Sequence, residues 1–189
     1  WSSDVCSSDL PMVLHVHTKK GLGYSFAEED KARWHFSIPF DIKTGEVIKK
    51  SSNENYGNIT YEFLSQKMRE DKSVMVVTAS TPSSFGFHPK RVEGTEIEDQ
   101  FIDVGIEEQN AILVAAGMAK NGGKVFFGTW ASFYQRAYDQ IAHEICLNQL
   151  PVTMLVTNAS ILGDPNDTHS GIFDIAMLSS IPKLLYLAP

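Results

Sequence analysis

Two adjacent acidic residues lie where the chain changes from strand-like to helix-like sequence. Phe101 to Val104 is a short apolar run typical of a buried strand, and Asn110 to Lys120 is an alanine-rich stretch typical of a helix. Glu107 and Glu108 stand between them. Carboxylates at this position can stabilise the positive end of a helix dipole. A carboxyl group in an apolar site can instead share a proton with a ligand, because desolvation favours its neutral form. Position alone leaves both interpretations open.

Aromatic and basic side chains that could bind a flat ligand follow further along. Trp130 ends an apolar segment, and Phe133 and Arg136 come after it at intervals of three residues. A phenyl ring can stack on a second aromatic ring, which contributes about 0.5–1.5 kcal/mol beyond burial. Arg136 could contact a ligand or pair with Asp139. A phenylalanine at a strand end is also an ordinary core residue, so the spacing alone assigns no chemistry.

Three further side chains could move protons or bind anions. His35 lies in "WHF", His169 in "DTHSG" and Lys20 in "TKKGLGY". Histidine is suited to proton transfer because it titrates near neutral pH. A lysine that follows a strand is usually solvated, so Lys20 has an ordinary interpretation as well.

A regular alternation of strands and helices must position these residues. The chain begins with a predicted strand at 12–18, a glycine turn and a poorly periodic connecting segment at 25–57. The regular alternation starts after this segment. The later predicted elements are a helix at 59–71, strands at 74–80 and 101–105, a helix at 107–121, a strand at 124–130, a helix at 132–149, a strand at 152–157, a short helix around 174–180 and a strand at 184–188. This alternation predicts an α/β fold with a mostly parallel sheet and helices on both faces.

The predicted topology brings the candidate residues to one edge of the sheet. Ligands of such folds bind beyond the carboxyl ends of the strands. The loops expected there are 80–88, 104–108, 129–136 and 158–171. They carry Glu108, Trp130, Phe133, Arg136 and His169.

Composition excludes several classes of function. Residues 1–10 have no signal-peptide features and can be back-translated to a sequencing-library adapter, so we expect a non-native tail that packs on nothing. Without Asp4 and Asp9 the formal charge of −7 becomes −5, which gives no electrostatic reason to bind nucleic acid or an anionic membrane.

No apolar run reaches the roughly 18 residues of a membrane span. Cys6 belongs to the tail, and Cys146 alone cannot form an internal disulfide, as expected for a cytoplasmic protein.

Three segments at consistent spacing carry a family resemblance. "DVGIEEQNAILVAAGMA", "SFYQRAYDQIAHE" and "DTHSGIFDIAMLSSIP" resemble the central, pyrimidine-binding domain of the 1-deoxy-D-xylulose-5-phosphate synthase family, thiamine-diphosphate enzymes related to transketolase. "LHVHTKKGLGY", "WHF" and "PFDIKTGE" resemble the end of that family's first domain and its linker. The resemblance implies that 11–57 is the end of the diphosphate-binding domain with the linker, and that 58–189 is a pyrimidine-binding domain truncated before the C-terminal domain.

The resemblance also implies an activity: decarboxylation of pyruvate and its condensation with glyceraldehyde 3-phosphate. The family glutamate that hydrogen-bonds the aminopyrimidine ring matches Glu108, which leaves Glu107 as a helix-stabilising acid. By the same match, Glu108, His169 and His35 are catalytic, and the cofactor contacts are Glu108, Phe133, Trp130, Lys20 and Arg136. The Mg²⁺ that accompanies the cofactor is expected in the preceding part of such a protein, so no metal is assigned to this chain. A cytoplasmic homodimer is expected.

Departures from the family pattern keep the acceptor substrate open. Asn158 stands where the family has an arginine for the acceptor's phosphate, and Pro165 stands near an expected aspartate. Asn110 replaces a histidine and Trp130 a tyrosine. Asparagine supplies neither the charge nor the fork geometry of arginine. A related carbon-transfer enzyme with another acceptor, or a protein without catalytic turnover, are the alternatives.

Overall fold

The computed structural model describes residues 11, 13–48, 55–159 and 168–188, and it divides into the units Trp1–Ser52 and Asn53–Pro189. The adapter-like tail and Pro165 lie outside the described residues.

The first unit is a small aromatic assembly. It contains helix α1 (Ser25–Glu29), a turn of 3₁₀ helix at Arg33–His35 and an antiparallel bridge between Phe40 and Val47. The Trp34 ring packs edge-on against Tyr24 and Phe40, with centroids 5.1 and 4.5 Å away. The predicted strand at 12–18 is wrong over 13–18, where the chain is exposed and forms no ladder with any described segment.

The second unit alternates helices and strands, as the sequence predicts. Its elements are α2 (Tyr56–Glu70), β1 (Val74–Thr78), a 3₁₀ turn (Pro82–Phe85), α3 (Pro89–Val92), a 3₁₀ turn (Glu98–Gln100), β2 (Phe101–Asp103), α4 (Glu108–Lys120), β3 (Lys124–Trp130), a 3₁₀ helix (Ala131–Ala137), α5 (Tyr138–Gln140), a π-helix (Ile141–Leu147), β4 (Val152–Thr157) and α6 (Asp174–Ser179).

The four strands form one parallel sheet in the order β2-β1-β3-β4. Ile102, Val77, Phe127 and Met154 lie in one row across it. The chain runs from β1 to β2 at one edge of the sheet, and from β3 to β4 at the opposite edge. The carboxyl ends of β1 and β3 therefore define the topological switch point, where α/β folds bind ligands.

Helices cover both faces of the sheet, which confirms the predicted fold class. Val77 and Phe127 belong to the core beneath α4 and the π-helix. Val76 and Phe126 point to the other face, where they pack with side chains of α2 such as Leu64. Apolar residues on both faces of neighbouring strands are typical of a sheet covered on both sides.

The two long helices begin and pack for identifiable reasons. Helix α2 starts at Tyr56 because the Asn55 side chain caps it, accepting a hydrogen bond from the Asn58 amide at 2.8 Å. Helix α4 buries a stripe of small residues with one isoleucine, namely Ala111, Ile112, Ala115, Ala116 and Ala119. Small side chains permit a close approach between a helix and the sheet.

The segment predicted as a single helix over 132–149 has three kinds of helical turn. A 3₁₀ helix has three residues per turn, so side chains three apart lie on one face. Ala131, Tyr134 and Ala137 are accordingly buried together. Phe133 and Arg136 share another face, which is the one that carries the candidate site residues.

The chain after α6 does not form the strand predicted at 184–188. Leu185 and Leu187 are exposed, whereas the Tyr186 hydroxyl donates a hydrogen bond to Asp174 Oδ2 at 2.8 Å. The alternating pattern there reflects packing against α6 and not strand pairing. No helix in the described part of the chain has the length and apolar character needed to cross a bilayer.

Candidate active site

The two acids at the start of α4 have different environments. Glu107 is exposed at the N-cap position and accepts a hydrogen bond from the Asn110 side chain at 3.2 Å. The Glu108 side chain is only 2% exposed. The structure thus separates an acid at the solvent-facing helix end from an acid inside the protein.

The turn between β2 and α4 directs Glu108 inward. Asp103 Oδ1 accepts hydrogen bonds from the backbone amides of Gly105 at 3.0 Å and Ser80 at 2.8 Å. Gly105 has φ 83°, a left-handed conformation that glycine adopts without steric cost. These contacts fix the connection so that α4 begins at Glu108.

Arg136 is the ion-pair partner of Glu108. Its Nη1 donates to Glu108 Oε2 at 2.7 Å. The guanidinium side chain is 53% exposed and therefore reaches the buried carboxylate from the surface. The alternative pairing with Asp139 is replaced by this contact, because the 3₁₀ turn directs Arg136 toward the first residue of α4.

Three rings form an aromatic cluster at the carboxyl end of β3. Trp130 and Phe133 are stacked at 5.5 Å and 14°, and His169 packs edge-on against them at 4.9 and 5.2 Å. All three are partly buried. The Trp130 indole N–H also donates to Ser84 Oγ, so the cluster is connected to the loop after β1.

A close backbone contact holds the segment that carries His169. Gly171 forms a parallel bridge with Ala159 just beyond β4. A Cβ added to Gly171 would lie 2.5 Å from Ala131 Cβ and 2.8 Å from the Asn158 carbonyl oxygen. Only glycine fits this space without a shift of the backbone. His169 Nδ1 lies 2.6 Å from Thr168 Oγ1.

Buried hydroxyl groups connect β1 and β3 at the switch point. Thr78 donates to the Gly128 carbonyl at 2.9 Å, and Thr81 lies 3.2 Å from the hydroxyls of Thr78 and Thr129. Ser132 Oγ is buried and has no hydrogen-bond partner among the described residues. Sequence reasoning missed this group, although threonines and serines at strand ends were a usable signal.

The remaining predicted site residues belong to other parts of the chain. Lys20 and His35 contact each other in the first unit, through Nζ and Nδ1, and both are exposed. Their membership of the same site as Glu108 stays a prediction. Asn158 follows β4 with φ 52°, a left-handed conformation that asparagine tolerates better than most residues. No group of three metal-ligating side chains occurs within the described ranges.

Residues 54–189 match the family model described as the transketolase pyrimidine-binding domain. The chain is 42% identical over 179 residues to 1-deoxy-D-xylulose-5-phosphate synthase of Clostridium perfringens strain SM101, covering 95% of this chain and 28% of that protein. It is 39% identical over 180 residues to the synthase of Caldanaerobacter subterraneus subsp. tengcongensis, with the same coverage. The chain thus spans little more than a quarter of the length of these relatives.

Solved structures share the fold. A split-gene transketolase, described as an inactive β4 tetramer, aligns with a TM-score of 0.52 and 26% identity over 67% of this chain and 40% of that chain. Transketolase from Campylobacter jejuni aligns with a TM-score of 0.58 over 67% of this chain and 20% of that chain. Its identity of 20% supports the fold alone.

Proposed function

The chain belongs to the family of transketolase pyrimidine-binding domains, and from that premise we propose that it forms the aminopyrimidine side of a thiamine-diphosphate site in a carbon–carbon bond-forming enzyme. The proposed reaction condenses pyruvate, with loss of CO₂, and glyceraldehyde 3-phosphate to 1-deoxy-D-xylulose 5-phosphate. The observation that carries the proposal is the buried carboxyl group of Glu108 at the first turn of α4. The named relatives support it, and since the chain spans 28% of their length, the complete activity is a proposal.

The side chains present fit an aminopyrimidine ring. Such a ring is flat, with acceptor nitrogens and an amino donor. Glu108 offers a carboxyl group in a site shielded from water, Phe133 offers a partly buried ring, and Ser132 offers a buried hydroxyl without a described partner. A buried polar group without a partner is costly, so a ligand that satisfies it gains affinity.

Each side chain has a distinct role in this proposal. Thiamine diphosphate, when bound, supplies the carbanion chemistry that joins two carbonyl compounds. Glu108 holds a proton at a nitrogen of the aminopyrimidine ring. Phe133 packs on that ring and Trp130 forms the neighbouring wall. His169, at the edge of both aromatic rings, exchanges a proton with the reacting oxygen, as suits an imidazole near neutral pH.

Further contributions are proposed from outside the second unit. Lys20 contacts the cofactor and His35 is the second proton-transferring histidine. Mg²⁺ accompanies the diphosphate on a segment that precedes those described here. A homodimer in the cytoplasm is the proposed form of the complete enzyme.

Asn158 favours a second candidate, an enzyme of the same chemistry with an acceptor aldehyde that lacks a phosphate. Arg136 is the only arginine between Lys124 and Lys183, and its guanidinium already binds Glu108. A phosphate near Asn158 therefore has few cationic partners on this part of the chain. A non-catalytic member of the family is the third candidate.

A chimeric enzyme tests the proposed function. Residues 11–188 replace the corresponding segment of the Clostridium perfringens synthase, and the chimera is incubated with pyruvate and either glyceraldehyde 3-phosphate or glyceraldehyde. Condensation that is lost in Glu108→Gln and retained in Glu107→Gln supports the proposal. A folded chimera that binds no thiamine diphosphate contradicts it, and one that binds the cofactor without forming product points to the third candidate.

A further inference from the structure

The indole N–H of Trp130 has a hydrogen-bond acceptor in the loop after β1. It donates to Ser84 Oγ, and both side chains are partly buried. The nitrogen is the one polar atom of a tryptophan side chain and is a donor only, so this contact decides which way the N–H edge of the ring faces. Ser84 thus contacts a ring of the candidate site from a different connection of the sheet.

The turn that carries Ser84 is anchored on β3 by its other residues. Thr81 Oγ1 donates to Thr129 Oγ1 at 3.2 Å, and both threonines are buried. The Phe85 side chain is 1% exposed and lies over Gly128, where an added Cβ would be 2.7 Å from its ring. Three successive residues at the end of β3 therefore contact this turn, which holds the Ser84 hydroxyl beside the indole.

Stacking alone does not fix the indole within the aromatic cluster. The Trp130 and Phe133 rings are 14° from parallel with their centroids 5.5 Å apart, which sets the plane of the indole. The χ2 torsion of tryptophan has two broad wells, and turning the ring over between them keeps that plane but moves the N–H edge to the opposite side. The hydrogen bond to Ser84 selects one of the two positions.

The packing of the His169 ring depends on which position the indole takes. The imidazole centroid is 4.9 Å from that of Trp130, and the two planes meet at 73°. An indole is not symmetric about the axis of the χ2 rotation, so turning it over changes the surface against which the imidazole packs. The indole therefore carries the orientation set by Ser84 over to His169.

We propose that Ser84 is a positioning residue, which holds the N–H edge of Trp130 and thereby keeps the His169 ring in place for proton transfer. The proton-transfer role of His169 rests on the proposed function, whereas the packing of these three side chains does not. Ser84 touches no reacting atom, and no covalent bond forms or breaks at it. Without its hydroxyl, the indole N–H loses this acceptor and the ring samples both positions.

NMR spectra of the ligand-free chain test the packing. The chain has three tryptophans and six histidines, so the signals of Trp130 and His169 are identified by their absence in Trp130→Phe and His169→Gln. In Ser84→Ala we expect the Trp130 indole N–H to exchange with solvent about tenfold faster, because its acceptor is gone. The ring-proton signals of His169 should shift, because the ring current of the indole at the imidazole changes. Ser84→Thr, which retains a hydroxyl, should restore both.

Turnover of the chimeric enzyme tests the effect on the reaction. With pyruvate and glyceraldehyde 3-phosphate, we expect Ser84→Ala to lower kcat per bound thiamine diphosphate about three- to tenfold, because the geometry of proton transfer is less often correct. KM for pyruvate should stay unchanged, and Ser84→Thr should restore kcat. In a Trp130→Phe background, Ser84→Ala should change kcat little, since the side chain through which Ser84 acts has lost its N–H.

Ser83→Ala is the matched control. It removes a hydroxyl from the exposed neighbouring residue of the same turn, and it should change neither the His169 signals nor kcat. Wild-type indole exchange and wild-type His169 signals in Ser84→Ala would overturn the positioning role. So would an unchanged kcat in an active chimera, or a fall in kcat that is equal with and without the Trp130 indole. If the wild-type chimera forms no product but both NMR effects are found, the proposed function fails and the packing role of Ser84 stands.

Discussion

Asn158→Arg tests whether this chain lacks a phosphate-binding group at the end of β4. Asn158 has φ 52°, and its carbonyl oxygen lies against the Gly171 backbone. A left-handed conformation costs most L-residues about 1–2 kcal/mol, and asparagine is among those that tolerate it. The substitution therefore adds a positive charge at a position whose left-handed backbone conformation is unfavourable for arginine.

The two effects have different magnitudes and different readouts. A charge-assisted contact with a phosphate is worth about 1.5–3 kcal/mol, which corresponds to a rise of roughly 10- to 100-fold in kcat/KM. The conformational cost, about 1 kcal/mol relative to asparagine, applies to folding. For a domain of this size it lowers Tm by about 2–4 °C.

The assay compares kcat/KM for glyceraldehyde 3-phosphate and for glyceraldehyde in the chimeric enzyme. We expect the wild type to discriminate weakly, and Asn158→Arg to favour the phosphorylated aldehyde. Asn158→Gly is the matched control, because it retains the left-handed backbone and adds no charge. A strong phosphate preference in the wild type, unchanged by arginine, would refute the reasoning, since another group would then bind the phosphate.

Three other outcomes are expected. Glu108→Gln should abolish exchange of the C2 proton of bound thiamine diphosphate, whereas Glu107→Gln should preserve exchange and cost at most about 1 kcal/mol of stability; loss in both would contradict the assignment. Gly171→Ala should destabilise the chain by about 1–3 kcal/mol in urea unfolding, because the added Cβ has no room, and an unchanged midpoint would contradict the close packing. Burial and the neighbouring Asp174 carboxylate raise the pKa of Tyr186 to about 12. An unfolded tyrosine titrates near 10, so the free energy of unfolding should fall as the pH rises from 10 towards 12. Tyr186→Phe should show a smaller fall. Parallel curves of unfolding free energy against pH for the two proteins would count against the contact.

Strands whose apolar residues are bounded by turn residues were predictable from sequence. The predictions for 124–130 and 152–157 coincide with β3 and β4, because both strands contribute apolar residues to the two core clusters. The alternation at 184–188 was misleading. Its period of two arises from Tyr186 packing on α6, and alternation alone does not distinguish that arrangement from a strand.

The site was predictable only in part, for reasons of geometry. The family resemblance of the surrounding sequence identified Glu108 as the ligand-binding acid. The difference in burial between Glu108 and Glu107 depends on the turn at Gly105, which the sequence did not reveal. The ion pair with Arg136 was not foreseen, since a regular α-helix was expected at 132–149. The 3₁₀ helix buries Ala131, Tyr134 and Ala137 on one face, and hydrophobic periodicity alone did not distinguish this spacing from that of an α-helix.

The alanine stripe on α4 makes the depth of the Glu108 carboxyl group sensitive to changes far from it. Ala119 lies eleven residues further along the same helix, about 16 Å away at 1.5 Å per residue. A larger side chain there would lift one end of a nearly rigid rod off the sheet and change the angle at which its first residue enters the interior. A substitution at Ala119, which takes no part in the chemistry, could thus alter the reactivity of the Glu108 carboxyl group while every side chain around that group stayed the same.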